Sequence, residues 1–131
     1  MERRRTRQRD LVFDSLMELN HPTAQELYEH IHAKPDSFGK KISLGTVYRN
    51  LQILEENGKL ISIDSSSFVT HYDARLDPHY HFICKNCGVV LDIAMDYMNE
   101  LNDKAQKGND CRIESHSLAF EGCCEKCKGL P

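Results

Sequence analysis

The sequence predicts an α+β protein with a winged helix-turn-helix domain and a smaller α/β domain. Three amphipathic helical segments precede two short strand-like segments, the pattern changes after residue 78, and two C-x-x-C pairs lie in the C-terminal half. A chain of 131 residues has room for two small domains, which often need a metal or a partner subunit. We expect a winged helix over residues 1–72, a hinge over 73–78, and a metal-binding dimerisation domain over 79–131.

The first domain is predicted to open with three helices, because apolar side chains recur there every three or four residues. The first helix should run from about residue 5 to 19. Thr23 and Glu26 form a capping box at the start of the second helix. Ser43 can cap the third helix, and Gly58 is placed to end it. The apolar positions are Leu11, Val12, Leu16 and Leu19, then Ala24, Leu27, Tyr28 and Ile31, and finally Leu44, Val47, Leu51 and Leu54.

A two-stranded ribbon, "KLISID" and "FVTHYD" joined by the serine run 65–67, follows the helices and completes a winged helix. The third helix should present Thr46, Arg49, Asn50 and Ile53 away from its apolar stripe, where Arg and Asn suit base edges. Five arginines among the first nine residues are typical of phosphate contact. The alternative is a small helical domain with a solvated third helix and basic arm. The predicted DNA contacts are Arg5, Arg7, Gln8, Arg9, Ser43, Thr46, Tyr48, Arg49 and Asn50.

The second domain should have the order β-β-α-β with a mostly antiparallel sheet. "YHFIC" and "VVLDI" form a hairpin that turns on "KNCG". "MDYMNELNDKAQKG" reads as a helix ended by Gly108, and "CRIESHSLAF" alternates as a strand. We therefore expect a small α/β domain after the hinge.

The location of the protein decides how its six cysteines are interpreted. The first twenty residues contain acidic side chains and no apolar h-region, and no apolar run approaches membrane-spanning length. We expect a cytoplasmic protein with no membrane partner. In a reducing compartment, paired cysteines are more often metal ligands than disulfides.

Two C-x-x-C pairs predict a structural zinc site formed by Cys84, Cys87, Cys124 and Cys127. Four thiolates complete a closed tetrahedral centre. Structural zinc is worth roughly 10–16 kcal/mol in small peptides, more than a domain of this size is expected to gain from its core. The alternative is a redox or free-thiol role.

His79 and His81 predict a second metal site, separate from the cysteines. Side chains alternate along a strand, so the two imidazoles point away from the face that carries Cys84. An antiparallel return strand should bring Asp92 near them. Imidazole and carboxylate suit Mn, Fe, Co or Zn, and such a site can exchange its metal, as a sensor requires.

The chain resembles the ferric uptake regulator (Fur) superfamily over nearly its whole length. The resemblance rests on "RRTRQRDLVFDSL", "HPTAQELY", "ISLGTVYRNLQILEENG", "HYHFICKNCG" and "HSLAFEGCCEKC", together with both C-x-x-C pairs. It is greatest to the peroxide-sensing repressor branch, since iron-sensing relatives usually carry glutamate at the position of Asp92. Tyr80 and Asn99 replace ligands of a further metal site in those relatives, which leaves His116 with a hydrogen-bonding role.

The resemblance implies a regulatory Fe²⁺ or Mn²⁺ site that bridges the two domains, with His21, Asp73, His79, His81 and Asp92 as ligands. It also implies a homodimer that binds a palindromic operator in double-stranded DNA. Iron-catalysed oxidation by hydrogen peroxide should then modify His21 or His79, so that the repressor loses metal and leaves DNA.

Other functions remain open at the level of sequence. A repressor that senses iron or zinc by reversible binding is the nearest alternative, and Arg49 is more typical of that branch. A metallohydrolase is disfavoured, because five protein ligands would exclude substrate and no general base stands beside an open position. A zinc-stabilised interaction module would lack salt-dependent DNA affinity. We therefore expect a regulator and not an enzyme.

Overall fold

The computed structural model describes residues 2–35, 38–65 and 68–129. The chain divides into two compact units, Met1–Leu76 and Asp77–Pro131, and the division falls inside the segment predicted as a hinge. Two of the three serines of the predicted ribbon turn, and part of the loop before the third helix, lie outside the described residues. The units are described one at a time.

The first unit contains three α-helices followed by a β-ribbon, as the sequence predicts. The helices are α1 (Glu2–Glu18), α2 (Ala24–Ala33) and α3 (Leu44–Glu56), with a 3-10 turn at Gly39–Lys41. The strands are β1 (Ile61–Ser65) and β2 (Phe68–Asp73), paired antiparallel. Helix α1 begins earlier than expected, because the apolar period says nothing about a first turn made of arginines, which are good helix formers.

Local signals in the sequence set the ends of α2 and α3. The Thr23 hydroxyl accepts the Glu26 N–H, and the Glu26 carboxylate accepts the Thr23 N–H, which is the predicted capping box. The Ser43 hydroxyl accepts the Thr46 N–H at the start of α3. Gly58 follows α3 with φ of 73°, a conformation that favours glycine.

The core of the first unit lies where the three helices meet. Its buried members come from the predicted apolar faces and from two residues of the connections: Val12, Leu16, Ala24, Leu27, Ile31, Ile42, Val47, Leu51, Leu54 and Leu60. Burying a large aliphatic side chain is worth about 1.5–3 kcal/mol. This cluster therefore stabilises the helical scaffold without a metal.

The second unit has the predicted order β-β-α-β. Its elements are β3 (Tyr80–Cys84), β4 (Val90–Ile93), α4 (Glu100–Gln106) and β5 (Ala119–Gly122). Strand β3 pairs antiparallel with β4 and parallel with β5, in the order β4-β3-β5. The sheet is thus mixed, and the expectation of a mostly antiparallel sheet was wrong, because α4 lies in a crossover that returns the chain parallel to β3.

The predicted strand "CRIESHSLAF" was mostly wrong. Regular pairing begins only at Ala119, and residues 112–118 form no regular element. Side chains bind the backbone there: the Tyr97 hydroxyl accepts the His116 N–H at 2.9 Å and lies 3.0 Å from the His116 carbonyl oxygen, and Gln106 accepts the Ile113 N–H. The segment therefore satisfies its polar groups without a sheet.

Helix α4 is shorter than predicted, since it begins at Glu100 rather than near residue 95. Buried apolar residues are few in the described part of this unit: Tyr80, Ile83, Val90 and three cysteines. So small a core needs further stabilisation. Among the described residues of either unit, no helix is long and apolar enough to span a membrane.

Candidate metal centres and nucleic-acid interface

The four predicted zinc ligands lie together in the second unit. Their sulfur atoms are all within 4.8 Å of one another. Cys84 ends β3 and Cys87 lies in the turn that follows, and Cys84 Sγ accepts the N–H of Cys87 and of Cys124, each at 3.4 Å. Cys127 N–H donates to the Cys124 carbonyl, which closes the second turn. Two tight turns thus aim four sulfurs at one point.

The pKa values in the cluster indicate that it is prepared for a cation. The N–H of Cys87 is the strongest of the interactions that lower the pKa of Cys84 to about 6. The Asn86 side chain lowers the pKa of Cys127, but the Cys124 thiol, burial and the other two thiols outweigh it and raise that pKa to about 12. Cys84 is thus the thiol most readily ionised of these two, and metal binding favours the deprotonated form of a ligand thiol such as Cys127.

The geometry fits zinc. A tetrahedral site with Zn–S near 2.3 Å has neighbouring sulfurs about 3.8 Å apart, and Cys87 Sγ lies 3.7 Å from Cys124 Sγ. Cys111 and Cys123 are exposed and lie outside the cluster, and none of the six cysteines is in a disulfide. The cluster can therefore hold a structural zinc, with Cys124 and not Cys123 as the partner of Cys127.

His21 and Asp73 form a buried pair in the first unit. His21 Nε2 lies 3.3 Å from Asp73 Oδ2, and the two residues are 5% and 8% exposed. The other carboxylate oxygen of Asp73 accepts the Arg75 N–H at 2.9 Å. His21 has φ of 50°, the only positive value among the described non-glycine residues. Such a conformation costs energy and is typical of functional positions.

Backbone pairing between the α1–α2 turn and β2 brings this pair together. The Tyr72 N–H donates to the Pro22 carbonyl at 2.9 Å, and Thr23 forms an isolated β-bridge with His71. The residues on either side of these contacts, His21 and Asp73, are thereby held side by side. A histidine nitrogen and a carboxylate oxygen are suitable ligands for a first-row transition metal.

His79, His81 and Asp92 form a second group, in the second unit. The β3–β4 register places His81 opposite Asp92, as predicted. Asp92 Oδ1 lies 3.2 Å from His79 Nε2 and 3.7 Å from His81 Nε2. The Asp77 carbonyl lies 2.7 Å from His79 Nδ1, so Nδ1 carries the proton and Nε2 is left as the nitrogen that can bind metal.

A basic groove of about 430 Å³ lies between α1 and α3 in the first unit. Among the described residues, Arg9 Nε is buried there without a hydrogen-bond partner. Buried N–H groups usually have a partner, and a phosphate oxygen would supply one. The groove is lined by Arg4, Arg5, Gln8, Arg9, Arg49, Asn50 and Ile53.

The prediction that Thr46 and Asn50 point away from the core was wrong. Thr46 is 9% and Asn50 4% exposed, and the Asn50 amide donates to the Thr46 carbonyl at 2.9 Å. Both residues directly precede members of the apolar stripe, one helical step of about 100° away, and so they lie at its buried edge. Arg49 and Tyr48 are exposed, and Tyr48 is 52% accessible.

The remaining predicted DNA contacts differ in what they touch within the protein. The Arg7 guanidinium lies over the Phe38 ring at 4.0 Å and does not line the basic groove. The Ser43 hydroxyl is engaged in the cap of α3. Sequence reasoning omitted Arg4, which lines the groove. Its place one turn before Gln8 could have identified it.

Residues 1–121 match the Ferric uptake regulator family. The chain belongs to that family of metal-responsive transcription regulators, whose members bind DNA operators and act as dimers.

Among its relatives are regulators of two kinds. The chain is 31% identical to the peroxide-responsive repressor PerR of Staphylococcus aureus over 108 residues, which are 82% of this chain and 70% of that protein. The crystal structure of the Campylobacter jejuni peroxide stress regulator matches with a TM-score of 0.78 at 31% identity, covering 96% of this chain and 93% of that one. The Helicobacter pylori ferric uptake regulator, described as having three functional metal-binding sites, matches with a TM-score of 0.78 at 25% identity, covering 93% and 80%.

Proposed function

We propose that this protein is a metal-dependent DNA-binding repressor that senses hydrogen peroxide by oxidation of a ligand histidine. The observation that carries the proposal is the Asp92 carboxylate beside His79 and His81, at 3.2 and 3.7 Å. The similarity to the PerR of S. aureus and to the peroxide stress regulator of C. jejuni supports it.

The regulatory metal is proposed to take ligands from both units: His21 and Asp73 from the first, and His79, His81 and Asp92 from the second. Three imidazoles and two carboxylates suit Fe²⁺ or Mn²⁺. A metal that binds both units stabilises one relative orientation of them, and so shifts the population towards that state. Zn²⁺ at the four cysteines keeps the second unit folded throughout.

DNA binding is proposed to require that orientation. A dimer with two helix-turn-helix units must place its recognition helices about 34 Å apart, or a multiple of that, to meet successive major grooves of a palindromic operator. In this proposal Tyr48 and Arg49 of α3 face the bases, whereas the arginines that α1 contributes to the basic groove contact phosphates. Loss of the regulatory metal releases the units and the DNA.

Peroxide acts in this scheme through His21 or His79. Bound Fe²⁺ would supply the one-electron chemistry that activates hydrogen peroxide beside the imidazoles. An oxidised imidazole is a poor ligand because its ring nitrogens lose basicity. The oxidised protein therefore no longer binds the regulatory metal and does not return to its operator. Newly synthesised protein is needed to restore repression, and until then the peroxide stress response is transcribed.

Mass spectrometry of peptides from the Fe²⁺-loaded protein after brief exposure to peroxide tests the proposal, with Mn²⁺-loaded protein as the control. We expect one added oxygen on the peptide with His21 or His79, in the iron form only. A filled iron site with no added oxygen on either histidine would overturn peroxide sensing.

A repressor that senses iron or zinc by reversible binding is the second candidate. The similarity to the H. pylori ferric uptake regulator favours it. It predicts that chelation releases the operator, that restored metal recovers binding fully, and that peroxide leaves no covalent mark. The same peptides distinguish the two functions.

A further inference from the structure

The second unit contains a buried tyrosine, hydrogen-bonded to a half-buried histidine, that the proposed function does not use. Tyr80 is 0% exposed, and its hydroxyl lies 2.6 Å from His116 Nε2. The ring of Tyr97 stacks on His116 with centroids 4.3 Å apart and an angle of 8° between the planes. The Tyr80 side chain is therefore enclosed, and its hydrogen-bond partner His116 is half-buried against an aromatic ring.

The surrounding hydrogen bonds define which ring nitrogen of His116 carries a hydrogen and which accepts one from Tyr80. The Asn102 amide donates to the Glu114 carbonyl at 3.5 Å, so the Asn102 carbonyl oxygen faces His116 Nδ1, at 2.7 Å. That oxygen only accepts, and hence His116 Nδ1 carries a hydrogen and Nε2 a lone pair. Tyr80 thus donates its O–H to Nε2, while its oxygen accepts the Met98 N–H at 3.0 Å.

From this arrangement we infer that Tyr80 is a redox-active tyrosine with His116 as its proton acceptor. A one-electron oxidant of the hydroxyl-radical class removes an electron from the phenol and becomes hydroxide. In the same step the Tyr80 O–H bond breaks and its proton forms an N–H bond with His116 Nε2. The products are a neutral phenoxyl radical and an imidazolium.

The neighbouring groups favour both products. The Met98 N–H points at the oxygen that carries the radical. The Tyr97 ring lies face to face with the imidazolium and stabilises its positive charge, as an aromatic face does for a cation. The Phe120 ring packs edge-on against Tyr80 with centroids 6.2 Å apart. Because the proton moves along a short, preformed hydrogen bond as the electron leaves, no phenol radical cation has to form in the buried site.

The position of Tyr80 in β3 places this redox chemistry next to the proposed metal ligands. This step of the inference rests on the proposed function. Tyr80 lies between His79 and His81, and neighbouring residues of a strand have Cα atoms 3.8 Å apart and point to opposite faces. An oxidant formed beside the two histidines is therefore separated from the Tyr80 side chain only by the backbone of β3. Oxidation of Tyr80 would compete with oxidation of the imidazoles.

Photochemical oxidation of the full-length zinc protein, without regulatory metal, tests the inference. A ruthenium tris-bipyridine sensitiser with a cobalt(III) acceptor removes single electrons, and electron paramagnetic resonance of rapidly frozen samples detects phenoxyl radicals. We expect Tyr80→Phe to lose the long-lived signal. Tyr48→Phe, which removes an exposed tyrosine, should retain it.

A second variant separates proton acceptance from packing. His116→Gln keeps a hydrogen-bond acceptor near the phenol but removes the basic nitrogen, so we expect an unchanged melting curve and loss of the long-lived radical. An undiminished signal in Tyr80→Phe, or in a folded His116→Gln, would overturn the inference. If neither histidine-containing peptide is oxidised in the iron and peroxide experiment while the photochemical radical persists, only the proposed function fails.

Discussion

At the scale of single residues, one carboxylate beside two imidazoles is the centre of the proposed regulatory site. Asp92 is part-exposed and lies opposite His81 across the hairpin. A carboxylate oxygen within 3.2 and 3.7 Å of two imidazole nitrogens is a donor set that suits a divalent first-row metal. A local change at this position tests the donor set without disturbing the core.

We expect Asp92→Ala to weaken Mn²⁺ binding by at least the roughly 10–100-fold that loss of an outer-shell partner costs a metal site. Titration followed by the electron paramagnetic resonance of free Mn²⁺ measures this loss. Asp96→Ala, which removes an exposed carboxylate just after β4, is the matched control and should bind normally. Equal affinities in the two variants would remove Asp92 from the ligand set.

How much the sequence could predict also differs between residues. Alternation along β3 and the return of β4 predicted the encounter of His81 with Asp92, because register follows from a short turn. The pairing of Tyr80 with His116 could not be predicted in this way. It depends on a connection without regular structure, held by Tyr97 and Asn102 through contacts that no periodicity encodes.

At the scale of elements, short-range signals gave more reliable predictions than alternation alone. The capping box of α2 and the glycine after α3 depend only on residues a few positions apart in the sequence, and the structure has both. In the alternating segment before β5, the backbone N–H groups of Ile113 and His116 donate to side chains of α4 and Tyr97. These hydrogen bonds take the place of pairing with a neighbouring strand. The parallel pairing of β5 with β3 depends on the length of the crossover and not on local pattern.

Chelation of zinc should unfold the second unit and leave the first unit folded. The first unit has ten buried apolar residues in one cluster, whereas the second relies on its cysteines. We expect Cys84→Ser or Cys127→Ser to lose one zinc per chain and only part of the helical circular dichroism. Cys111→Ser and Cys123→Ser, at exposed thiols, should keep their zinc. A folded, zinc-free second unit would contradict the structural role.

At the scale of the whole molecule, the distribution of charge predicts how DNA affinity responds to salt. The net charge is −3, so attraction to DNA has to come from a local surface. Four arginines line the groove between α1 and α3 and provide that surface. Each neutralised phosphate releases condensed counterions, and so affinity falls as salt rises.

We expect Arg9→Ala to reduce the slope of log K against log salt by about 1 for each phosphate that the dimer no longer neutralises, on any DNA sequence. Arg49→Ala should instead relax sequence preference, at a cost of about 1–3 kcal/mol on the operator alone. Fluorescence anisotropy with operator and scrambled duplexes at several salt concentrations measures both. If Arg9→Ala leaves the slope unchanged, the groove is not a phosphate site.

The hairpin of β3 and β4 also limits how this sequence can change over time. His81 faces Asp92 only because the turn between the strands has its present length. Insertion of one residue in β3 would exchange its two faces, placing a histidine where Tyr80 packs and the phenol where the imidazoles meet Asp92. A substitution away from the ligand positions of this hairpin therefore changes one side chain, whereas an insertion or deletion of a single residue would displace the proposed metal ligands and the packed tyrosine together.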